Sequence, residues 1–192
     1  MKNFFDLEGK VAVVTGASGG LGADAARAYA QEGADVALLA RRKERLESLA
    51  EEIESTGRKA IAVQCDVSDE ESVKNAVDEV INHFGRIDIL LNNAGVAIRG
   101  GVCDLCVEDW DKGMDVNVKG IFLVSKHVIP HMIKNNYGKI VNTSSINSIA
   151  GDKEDMFIRH VYNASKAAVR GLTMGMACSY GKYGITVNAV AP

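Results

Sequence analysis

Short runs that are apolar on both faces alternate along this chain with longer amphipathic stretches. Such runs suit the strands of a parallel sheet that is covered by helices on both sides. The runs are KVAVVTG (10–16), DVALLA (35–40), KAIAVQCDV (59–67), IDILLNNAG (87–95), GKIVNTSS (138–145) and GITVNAVAP (184–192). The stretches between them predict helices near 20–32, 42–56, 69–84, 105–135 and 160–182. Strict alternation of strand and helix predicts a doubly wound α/β sheet with right-handed crossovers.

Length and charge limit the classes of protein to consider. A chain of 192 residues suits a single domain, 1–192. Its formal net charge of -3 gives no electrostatic reason to expect nucleic acid or an anionic membrane as a partner. The first residues, MKNFFDLEGK, carry acids where a signal peptide needs an apolar run, and no run long enough to span a bilayer follows. We therefore expect a cytoplasmic protein.

Cysteines and histidines are the residues that would suggest a metal site. Cys103 and Cys106 form a C-x-x-C pair, and His127 and His131 are one helical turn apart. Zinc needs more ligands than Cys103 and Cys106, and no second close pair faces them in the sequence. No acid motif lies near the two histidines. We expect no metal, and reduced structural thiols at Cys65, Cys103, Cys106 and Cys178.

A glycine-rich loop, TGASGGLG (15–22), joins the first predicted strand to the first helix. Gly16, Gly20 and Gly22 allow a sharp turn, a close backbone approach to a pyrophosphate, and tight packing of the helix on the strand. The helix N-terminus offers unpaired N–H groups to an anion. No Lys-Ser/Thr pair follows the last glycine, so the loop is not a Walker A motif. Its position predicts a dinucleotide-binding site.

The residues after the second strand bear on which dinucleotide is bound. NAD-binding proteins place a carboxylate there for the ribose hydroxyl, whereas an arginine suits the extra phosphate of NADP. Here the segment reads LLARRKER, with Ala40 at the expected acid position, followed by Arg41 and Arg42. The pattern favours NADP over NAD. The alternative is a solvated helix start in which Arg42, Lys43 and Arg45 simply face water.

One helix start carries a capping signal. Ser68 precedes DEESV, with Glu71 three residues further on. A Ser followed by a Glu at this spacing is the pattern of a capping box. We therefore predict that the third helix has Ser68 as its N-cap residue.

The segment VYNASK (161–166) places Tyr162 and Lys166 four residues apart, on one face of a predicted helix. Reduction of a ketone requires a hydride and a proton. Free tyrosine, with a pKa of about 10, is a poor proton shuttle at neutral pH. A neighbouring ammonium group stabilises the tyrosinate form and so helps a tyrosine to act. The spacing fits a catalytic pair, although a single Y-x-x-x-K also arises by chance.

Six motifs occur in a fixed order: TGASGGLG (15–22), CDV (65–67), NNAG (92–95), VNVKG (116–120), IVNTSS (140–145) and YNASK (162–166). Together they resemble the short-chain dehydrogenase/reductase family, from about Gly9 to the last residue. The resemblance implies a Rossmann fold and an NAD(P)-dependent oxidoreductase that transfers hydride between the nicotinamide and a secondary alcohol or ketone. It also implies a homodimer or homotetramer formed through the helices near 105–135 and 160–182.

The resemblance also implies roles for individual residues. Tyr162 would be the acid/base, Lys166 would tune it and hold the nicotinamide ribose, Ser145 would bind the substrate oxygen, and Asn117 would link Lys166 to solvent through a water. The cofactor would contact Gly16, Ser18, Gly20, Leu21, Gly22, Arg41, Arg42, Asp66, Val67, Asn93, Ala94, Gly95, Tyr162, Lys166 and Pro192.

Three residues near these positions have open alternatives. Ser144 or Ser148 could take the role of Ser145, although alignment with the family favours Ser145. Asn117 could instead bridge backbone groups inside a helix. Trp110 is expected to be a packed helix anchor rather than a substrate platform.

The spacing between Ser145 and Tyr162 is longer than is usual in the family. The extra residues fall in INSIAGDKEDMFIRH (146–160) and place Asp152, Lys153, Glu154, Asp155, Arg159 and His160 near the reaction site. Charged loop residues are usually solvated, but Arg159 or His160 could bind a substrate carboxylate by charge-assisted hydrogen bonds. The segment MFIRHVYNASK (156–166) resembles the gluconate 5-dehydrogenase branch of the family. A sugar acid or similar polyol is therefore the expected substrate.

Two alternatives to this function remain. A 3-oxoacyl-carrier-protein reductase would be favoured if Arg99, Lys126 and Arg170 formed a basic patch for an acidic carrier protein. A non-catalytic dinucleotide-binding fragment is the other, because family members continue beyond the position of Pro192, so the C-terminal part of the usual fold would be missing.

Overall fold

A six-stranded parallel sheet lies at the centre of the computed structural model, which describes residues 5–151 and 158–192. The strands are β1 (Val11–Thr15), β2 (Asp35–Ala40), β3 (Ala60–Gln64), β4 (Ile89–Asn92), β5 (Gly138–Thr143) and β6 (Ile185–Val190). Their order across the sheet is β3-β2-β1-β4-β5-β6, and every neighbouring pair is parallel. This is the strand order of a Rossmann fold, so the predicted doubly wound α/β sheet is confirmed.

Six α-helices connect the strands within the described residues. They are α1 (Gly20–Gln31), α2 (Lys43–Glu54), α3 (Glu70–Phe84), α4 (Val107–Met114), α5 (Gly120–Lys134) and α6 (His160–Tyr180). The single helix predicted near 105–135 corresponds to α4, a π-helical turn at Asp115–Lys119 and α5, which follow one another without a break. No helix in the described part of the chain is long and apolar enough to cross a membrane.

Strands β1, β2 and β4 are buried on both faces, as their continuous apolar runs predict, whereas β6 alternates buried and exposed residues in its first half and is exposed at its end. Along β1, Val13 belongs to the core under α3 and α5, whereas Val14 belongs to the core under α1 and α2. Along β2, Leu39 belongs to the core under α3 and α5, and Leu38 belongs to the core under α1 and α2. The sheet is therefore the middle of three layers, and its carboxyl edge is left for loops.

The N-terminus of α3 begins one residue later than the predicted capping box. Asp69 is the N-cap residue, and its carboxylate accepts a hydrogen bond from the Ser72 N–H at 2.6 Å. The Ser68 hydroxyl instead donates to the Asp66 carboxylate at 2.6 Å. The prediction for Ser68 is wrong because Asp66 engages its hydroxyl, and Asp69 is an equally good cap.

Asp88 is a fully buried carboxylate immediately before β4. It accepts hydrogen bonds from the Val11 N–H at 3.0 Å and from two nitrogens of the Arg86 guanidinium at 2.8 and 2.6 Å. The carboxylate therefore ties the start of β1 to the start of β4. Removal of the carboxylate leaves a backbone N–H and part of a guanidinium unpaired, which is costly in a buried position.

We predict that Asp88→Ala lowers the free energy of unfolding by about 2–4 kcal/mol, measured by urea denaturation. The matched control is Asp78→Ala, because Asp78 forms an exposed pair with Lys74 one turn away on α3. Exposed pairs contribute little, so the control should unfold at nearly the same urea concentration as the wild type. Equal losses in the two variants would contradict the structural role given to Asp88.

Candidate active site

The loop after β1 lies directly against the loop after β4. The Thr15 hydroxyl oxygen accepts hydrogen bonds from the backbone N–H groups of Asn93 and Ala94 at 2.9 and 3.1 Å, and it donates to the Leu91 carbonyl at 3.3 Å. Gly16 follows with a φ of 69°, and a Cβ there would lie 2.9 Å from the Ala94 Cα. Only glycine fits this close approach. The two loops then separate and leave a cleft between them.

The remaining glycines of the loop divide between packing and open space. A Cβ at Gly22 would lie 2.5 Å from the Gly16 carbonyl oxygen and 2.6 Å from the Asn93 amide nitrogen, so Gly22 lets α1 pack tightly. A Cβ at Gly19 or Gly20 would meet nothing within 4 Å. The backbone at the start of α1 is thus open to a ligand, and helix N-terminal N–H groups suit an anion there.

The cleft has a volume of about 710 Å³, within the usual range for cofactor sites. Its lining includes ten of the predicted cofactor residues: Gly16, Ser18, Gly20, Arg41, Arg42, Asp66, Val67, Asn93, Ala94 and Gly95. Five others are not part of the lining formed by the described residues: Leu21, Gly22, Tyr162, Lys166 and Pro192. Leu21 is exposed on the first turn of α1, and Gly22 packs inward. Their contacts with a cofactor stay predictions.

One end of the cleft is strongly basic. Arg41, Arg42 and Arg45 line it beside Ala40, and the Arg42 guanidinium donates to the Ser18 hydroxyl at 3.0 Å. Arg42 therefore reaches across to the glycine-rich loop instead of pointing away from it. This placement favours a binding role over the alternative of a purely solvated helix start.

Asp66 also lines the cleft and is held in a local turn. Its Oδ1 accepts hydrogen bonds from the Ser68 hydroxyl at 2.6 Å and the Ser68 N–H at 3.0 Å. Hydrogen bonds from Ser68, together with the nearby Arg41 guanidinium, hold the pKa of Asp66 below its ordinary value. The group is therefore a carboxylate at neutral pH, with Oδ2 left for other contacts.

All four cysteines lie in the described residues and are free thiols. Cys65 lines the cleft, and burial raises the pKa of its thiol to about 11, which makes it a poor nucleophile. Cys103, Cys106 and Cys178 are free and exposed. No group of three or more His, Cys, Asp or Glu side chains that could hold a metal ion occurs in this part of the chain.

Asn117 lies in the π-helical turn and is fully buried. Its Oδ1 accepts from the Val96 N–H at 2.8 Å, and its Nδ2 donates to the Val96 carbonyl and the Ser165 hydroxyl, both at 2.9 Å. The side chain thus binds backbone groups, as the alternative interpretation held, but it joins the loop after β4 to α6 and does not bridge groups inside one helix. Isolated π-helical turns often mark functional sites. The water link to Lys166 stays a prediction.

Tyr162 and Lys166 lie side by side at the start of α6, and the Lys166 Nζ is 5.5 Å from the centroid of the Tyr162 ring. Lys166 is only 3% exposed, and its Nζ donates to the Thr143 carbonyl at 2.7 Å. Burial lowers the pKa of Lys166 to about 8. An ammonium has three donors, so two remain for a ribose or a water.

Gly95 connects the cleft to this pair. A Cβ at Gly95 would lie 3.2 Å from the Asn117 Oδ1 and 3.6 Å from the Lys166 Nζ. Gly95 also lines the cofactor cleft. The absence of a side chain here therefore opens a path from the cleft to the lysine.

The two adjacent serines after β5 have different partners. The Ser144 hydroxyl is buried and donates to the Lys166 backbone carbonyl at 3.0 Å. The Ser145 hydroxyl has longer contacts: it lies 3.4 Å from the Asn147 Oδ1 and from the Pro192 carbonyl, and it accepts from the Asn147 N–H at 3.3 Å. Ser145 can exchange such contacts for a substrate oxygen at little cost, whereas Ser144 is engaged. The geometry favours Ser145 over Ser144 as the substrate-binding hydroxyl.

Ser148 ends a short 3-10 turn, Ile146–Ser148, whose first residue follows Ser145. Its backbone N–H donates to the Ser145 carbonyl at 2.9 Å. The contact is structural and closes the turn. Pro192 lies beside the same turn, because its carbonyl accepts from the Ile146 N–H at 3.1 Å.

The two residues predicted to bind a substrate carboxylate are placed differently. The Arg159 guanidinium carbon lies 5.6 Å from the centroid of the Tyr162 ring. The His160 Nδ1 instead accepts a hydrogen bond from the Val102 N–H at 3.1 Å, and so holds the loop before α4. Arg159 is therefore the better candidate. The charged residues Asp152, Lys153, Glu154 and Asp155 lie outside the described residues.

Sequence reasoning missed four residues that organise the site. They are Thr15, Val96, Thr143 and Ser165. Thr15 lies in the motif TGASGGLG and Ser165 in the motif YNASK, so their polar side chains at these positions could have indicated a role in the site. Val96 and Thr143 act through backbone groups, for which the sequence carries no signal.

Comparison with known proteins decides the family. A family model described as short chain dehydrogenase matches residues 10–192. The chain belongs to the short-chain dehydrogenase family. It is 44% identical to the oxidoreductase UcpA of Salmonella typhimurium over 97% of this chain and 69% of the relative. It is 41% identical to the 3-oxoacyl-[acyl-carrier-protein] reductase FabG of Thermotoga maritima (97% and 74%) and 39% identical to the gluconate 5-dehydrogenase of Gluconobacter oxydans (99% and 73%).

Solved structures of the short-chain dehydrogenase family share the fold. A gluconate 5-dehydrogenase from Burkholderia cenocepacia, in complex with NADP and tartrate, superposes with a TM-score of 0.92 at 37% identity over 98% of this chain and 72% of that one. An NAD+-bound xylitol dehydrogenase superposes with a TM-score of 0.90 at 39% identity over 97% and 70%. The chain is therefore an NAD(P)-dependent oxidoreductase of the short-chain dehydrogenase family.

The residues present fit a nicotinamide dinucleotide. The glycine-rich loop leaves open space over Gly19 and Gly20 for a pyrophosphate, and arginines line the end of the cleft where the adenosine ribose of family members lies. Gly95 opens the other end towards Lys166. Bound nicotinamide would supply or accept the hydride.

Burial of Lys166 has a measurable effect on stability. Its pKa is about 8 in the folded protein and about 10.5 when unfolded, so the unfolded chain binds more protons between these values. The wild type should therefore gain stability as the pH rises from about 8 to about 10.5. Below that range the protein carries the full cost of a buried ammonium.

We predict that Lys166→Met raises the free energy of unfolding at pH 7 by about 1–3 kcal/mol, and that the gain shrinks by pH 10. Urea denaturation at the two pH values measures it. Lys59→Met, at an exposed position before β3, is the control and should show no such pH-dependent difference. A Lys166→Met variant that is less stable than the wild type by the same amount at both pH values would refute the prediction.

Proposed function

We propose that this protein is an NADP-dependent dehydrogenase that interconverts the secondary alcohol and ketone of a sugar acid or a related polyol. The observation that carries the proposal is the Arg159 guanidinium, 5.6 Å from the Tyr162 ring. In a sugar acid the carboxylate is only a few bonds from the reacting carbon. A guanidinium beside the catalytic tyrosine is therefore placed to bind it through charge-assisted hydrogen bonds.

The proposed chemistry uses the residues that meet at the start of α6. In the reductive direction the Tyr162 hydroxyl gives its proton to the substrate oxygen, and in the oxidative direction the tyrosinate takes it back. The Lys166 ammonium stabilises the tyrosinate, and the Ser145 hydroxyl donates a hydrogen bond to the substrate oxygen as charge develops there. Asn117 keeps the loop at Val96 in place beside them.

The preference for NADP is proposed from the charge at the adenosine end of the cleft. Arg41, Arg42 and Arg45 line this end, and Ala40 stands where an NAD enzyme places a carboxylate. Among the structural relatives, the Burkholderia cenocepacia gluconate 5-dehydrogenase holds NADP, whereas the xylitol dehydrogenase holds NAD+. The arginines and the missing acid support the first pattern.

We predict that Arg42→Ala lowers the ratio of kcat/KM for NADP to that for NAD at least tenfold, because one charged partner of the extra phosphate is lost. Ala40→Asp should lower the same ratio by repelling that phosphate. Arg58→Ala is the control, since Arg58 pairs with Glu8 at the opposite end of the sheet. A wild type that prefers NAD, or an unchanged ratio in Arg42→Ala, would overturn the NADP proposal.

The substrate proposal is tested by NADPH oxidation with 5-ketogluconate, with xylulose as a neutral ketose, and with an acetoacetyl thioester. We predict turnover of 5-ketogluconate that Tyr162→Phe abolishes, because the proton donor is gone. Arg159→Ala should reduce the preference for 5-ketogluconate over xylulose about tenfold to a hundredfold. Arg99→Ala, in the exposed loop after β4, should leave the preference unchanged. An unchanged preference in Arg159→Ala would exclude a carboxylate contact at this residue.

The alternative of a 3-oxoacyl-carrier-protein reductase has less support. Its proposed basic patch requires Arg99, Lys126 and Arg170 to lie together. Lys126 on α5 pairs with Glu70 of α3, and Arg170 on α6 reaches the carbonyl of residue 148 near β5. These side chains are engaged on separate elements, so they support no common surface for an acidic partner. Preferred turnover of the acetoacetyl thioester would nevertheless favour this alternative.

A homodimer or homotetramer and a cytoplasmic location are part of the proposal. Trp110, Phe122 and Met174 are exposed apolar side chains on α4, α5 and α6. Trp110 is 41% exposed, so the expectation that it is a packed helix anchor is wrong within the single chain. Large apolar side chains on these helices support assembly through the surface expected from the family resemblance.

A further inference from the structure

Strand β5 and the residue after it hold Lys166 at both ends. The last residue of the strand, Thr143, accepts a hydrogen bond from the Lys166 Nζ through its carbonyl at 2.7 Å. The next residue, Ser144, donates its hydroxyl proton to the Lys166 backbone carbonyl at 3.0 Å. The first of these hydrogen bonds is partly buried and the second is buried. One short segment therefore fixes both the backbone and the side chain of the lysine.

The Ser144 hydroxyl is not needed to satisfy the helix. The carbonyl of a residue inside an α-helix already accepts from the N–H four residues further on. The Ser144 bond is a second contact on the same oxygen, which has two lone pairs. The backbone of Ser144 is itself fixed, because its N–H donates to the Val190 carbonyl at 2.7 Å. The bond therefore ties the backbone of Lys166 to the end of β5.

We propose that Ser144 is a positioning residue: its hydroxyl fixes the backbone of Lys166, so that the ammonium stays bonded to Thr143 and beside Tyr162. The inference rests on the proposed function, in which Lys166 stabilises the Tyr162 anion. It also assigns separate work to two adjacent serines. Ser144 holds the lysine, and Ser145 remains available to the substrate.

A second contact holds the same part of α6 from another side. The Ser165 hydroxyl donates to the Tyr162 backbone carbonyl at 2.8 Å and accepts from the Asn117 Nδ2 at 2.9 Å. The carbonyls of Tyr162 and Lys166 are one helical turn apart. Each carbonyl thus accepts a hydrogen bond from a serine hydroxyl. Loss of the Ser144 bond therefore leaves the Lys166 carbonyl without its contact to β5, while the contact at Tyr162 remains. A misplacement of about 1 Å in such a site can cost up to about a hundredfold in rate.

The first test needs no turnover. Lysine labelled with 13C at Cε reports the titration of Lys166 by NMR, and Lys166→Met identifies the signal. We expect a midpoint near 8 in the wild type. In Ser144→Ala a less tightly held ammonium gains solvent, so the midpoint should move upward towards the ordinary value of about 10.4. Ser144→Cys, whose thiol is a weaker donor, should lie between the two and serves if the alanine variant does not fold.

Thr173→Val is the matched control. The Thr173 hydroxyl also joins β5 to α6, since it accepts from the Asn142 Nδ2 at 2.9 Å and donates to the Val169 carbonyl at 2.7 Å. It lies two turns beyond Lys166. General loosening of α6 would affect both variants, whereas positioning of the lysine affects only Ser144. We therefore expect an unchanged Lys166 midpoint in Thr173→Val.

The second test uses the enzyme reaction. Ser144→Ala should lower kcat about tenfold while the KM for NADPH stays within about twofold, and the pH profile of kcat should shift in the same direction as the NMR midpoint. An unchanged midpoint and pH profile in Ser144→Ala, or equal changes in Thr173→Val, would overturn the proposal. If the wild type turns over none of the substrates, the proposed function fails, and the NMR titration still decides the role of Ser144.

Discussion

The contact between α6 and the carboxyl end of β5 is the interaction on which the candidate site depends. Three consecutive residues make it: Asn142 bonds to Thr173, the Thr143 carbonyl to the Lys166 ammonium, and Ser144 to the Lys166 backbone. The ammonium is costly to bury, as its lowered pKa shows. Because the carbonyl that receives it belongs to a strand of the central sheet, the ammonium is held by a fixed backbone group. The protein is thus less stable because of the buried Lys166 ammonium, whose fixed positive charge the proposed function requires.

The same helix is joined to the rest of the sheet by a buried polar chain. Asn92 Nδ2 donates to the Ser125 hydroxyl of α5 at 3.2 Å and to the Asn142 Oδ1 at 2.9 Å, and Asn142 in turn donates to Thr173 of α6. Asn92 and Asn142 face each other in the register of β4 and β5. The Asn92 Oδ1 has no partner among the described residues. Such a chain costs more than an apolar core would, but its directional bonds fix the position of α6 along the sheet.

The sequence predicts the sheet well because each strand is a local apolar run, and it predicts the glycine loop because backbone conformation at Gly16 allows one residue type. It does not predict the π-helical turn at Asn117, because the pattern there is that of a continuous amphipathic helix and the hydrogen-bond partner of Asn117, Val96, lies in a separate loop. The sequence also left open whether Ser144 or Ser145 binds the substrate oxygen, because this depends on long-range contacts. Adjacent residues of one type differ only in what the fold brings to them.

Charge along the cleft bears on which cofactor the proposed enzyme prefers. Asp66 is the one carboxylate that lines the cleft in the described part of the chain, and Ser68 already supplies two hydrogen bonds to it. Three positively charged residues line the same cleft: Arg41, Arg42 and Arg45. Pyrophosphate, common to NAD and NADP, is served by the open backbone at the start of α1. In the proposed function, this excess of positive charge supports NADP, because NADP carries additional negative charge at the ribose.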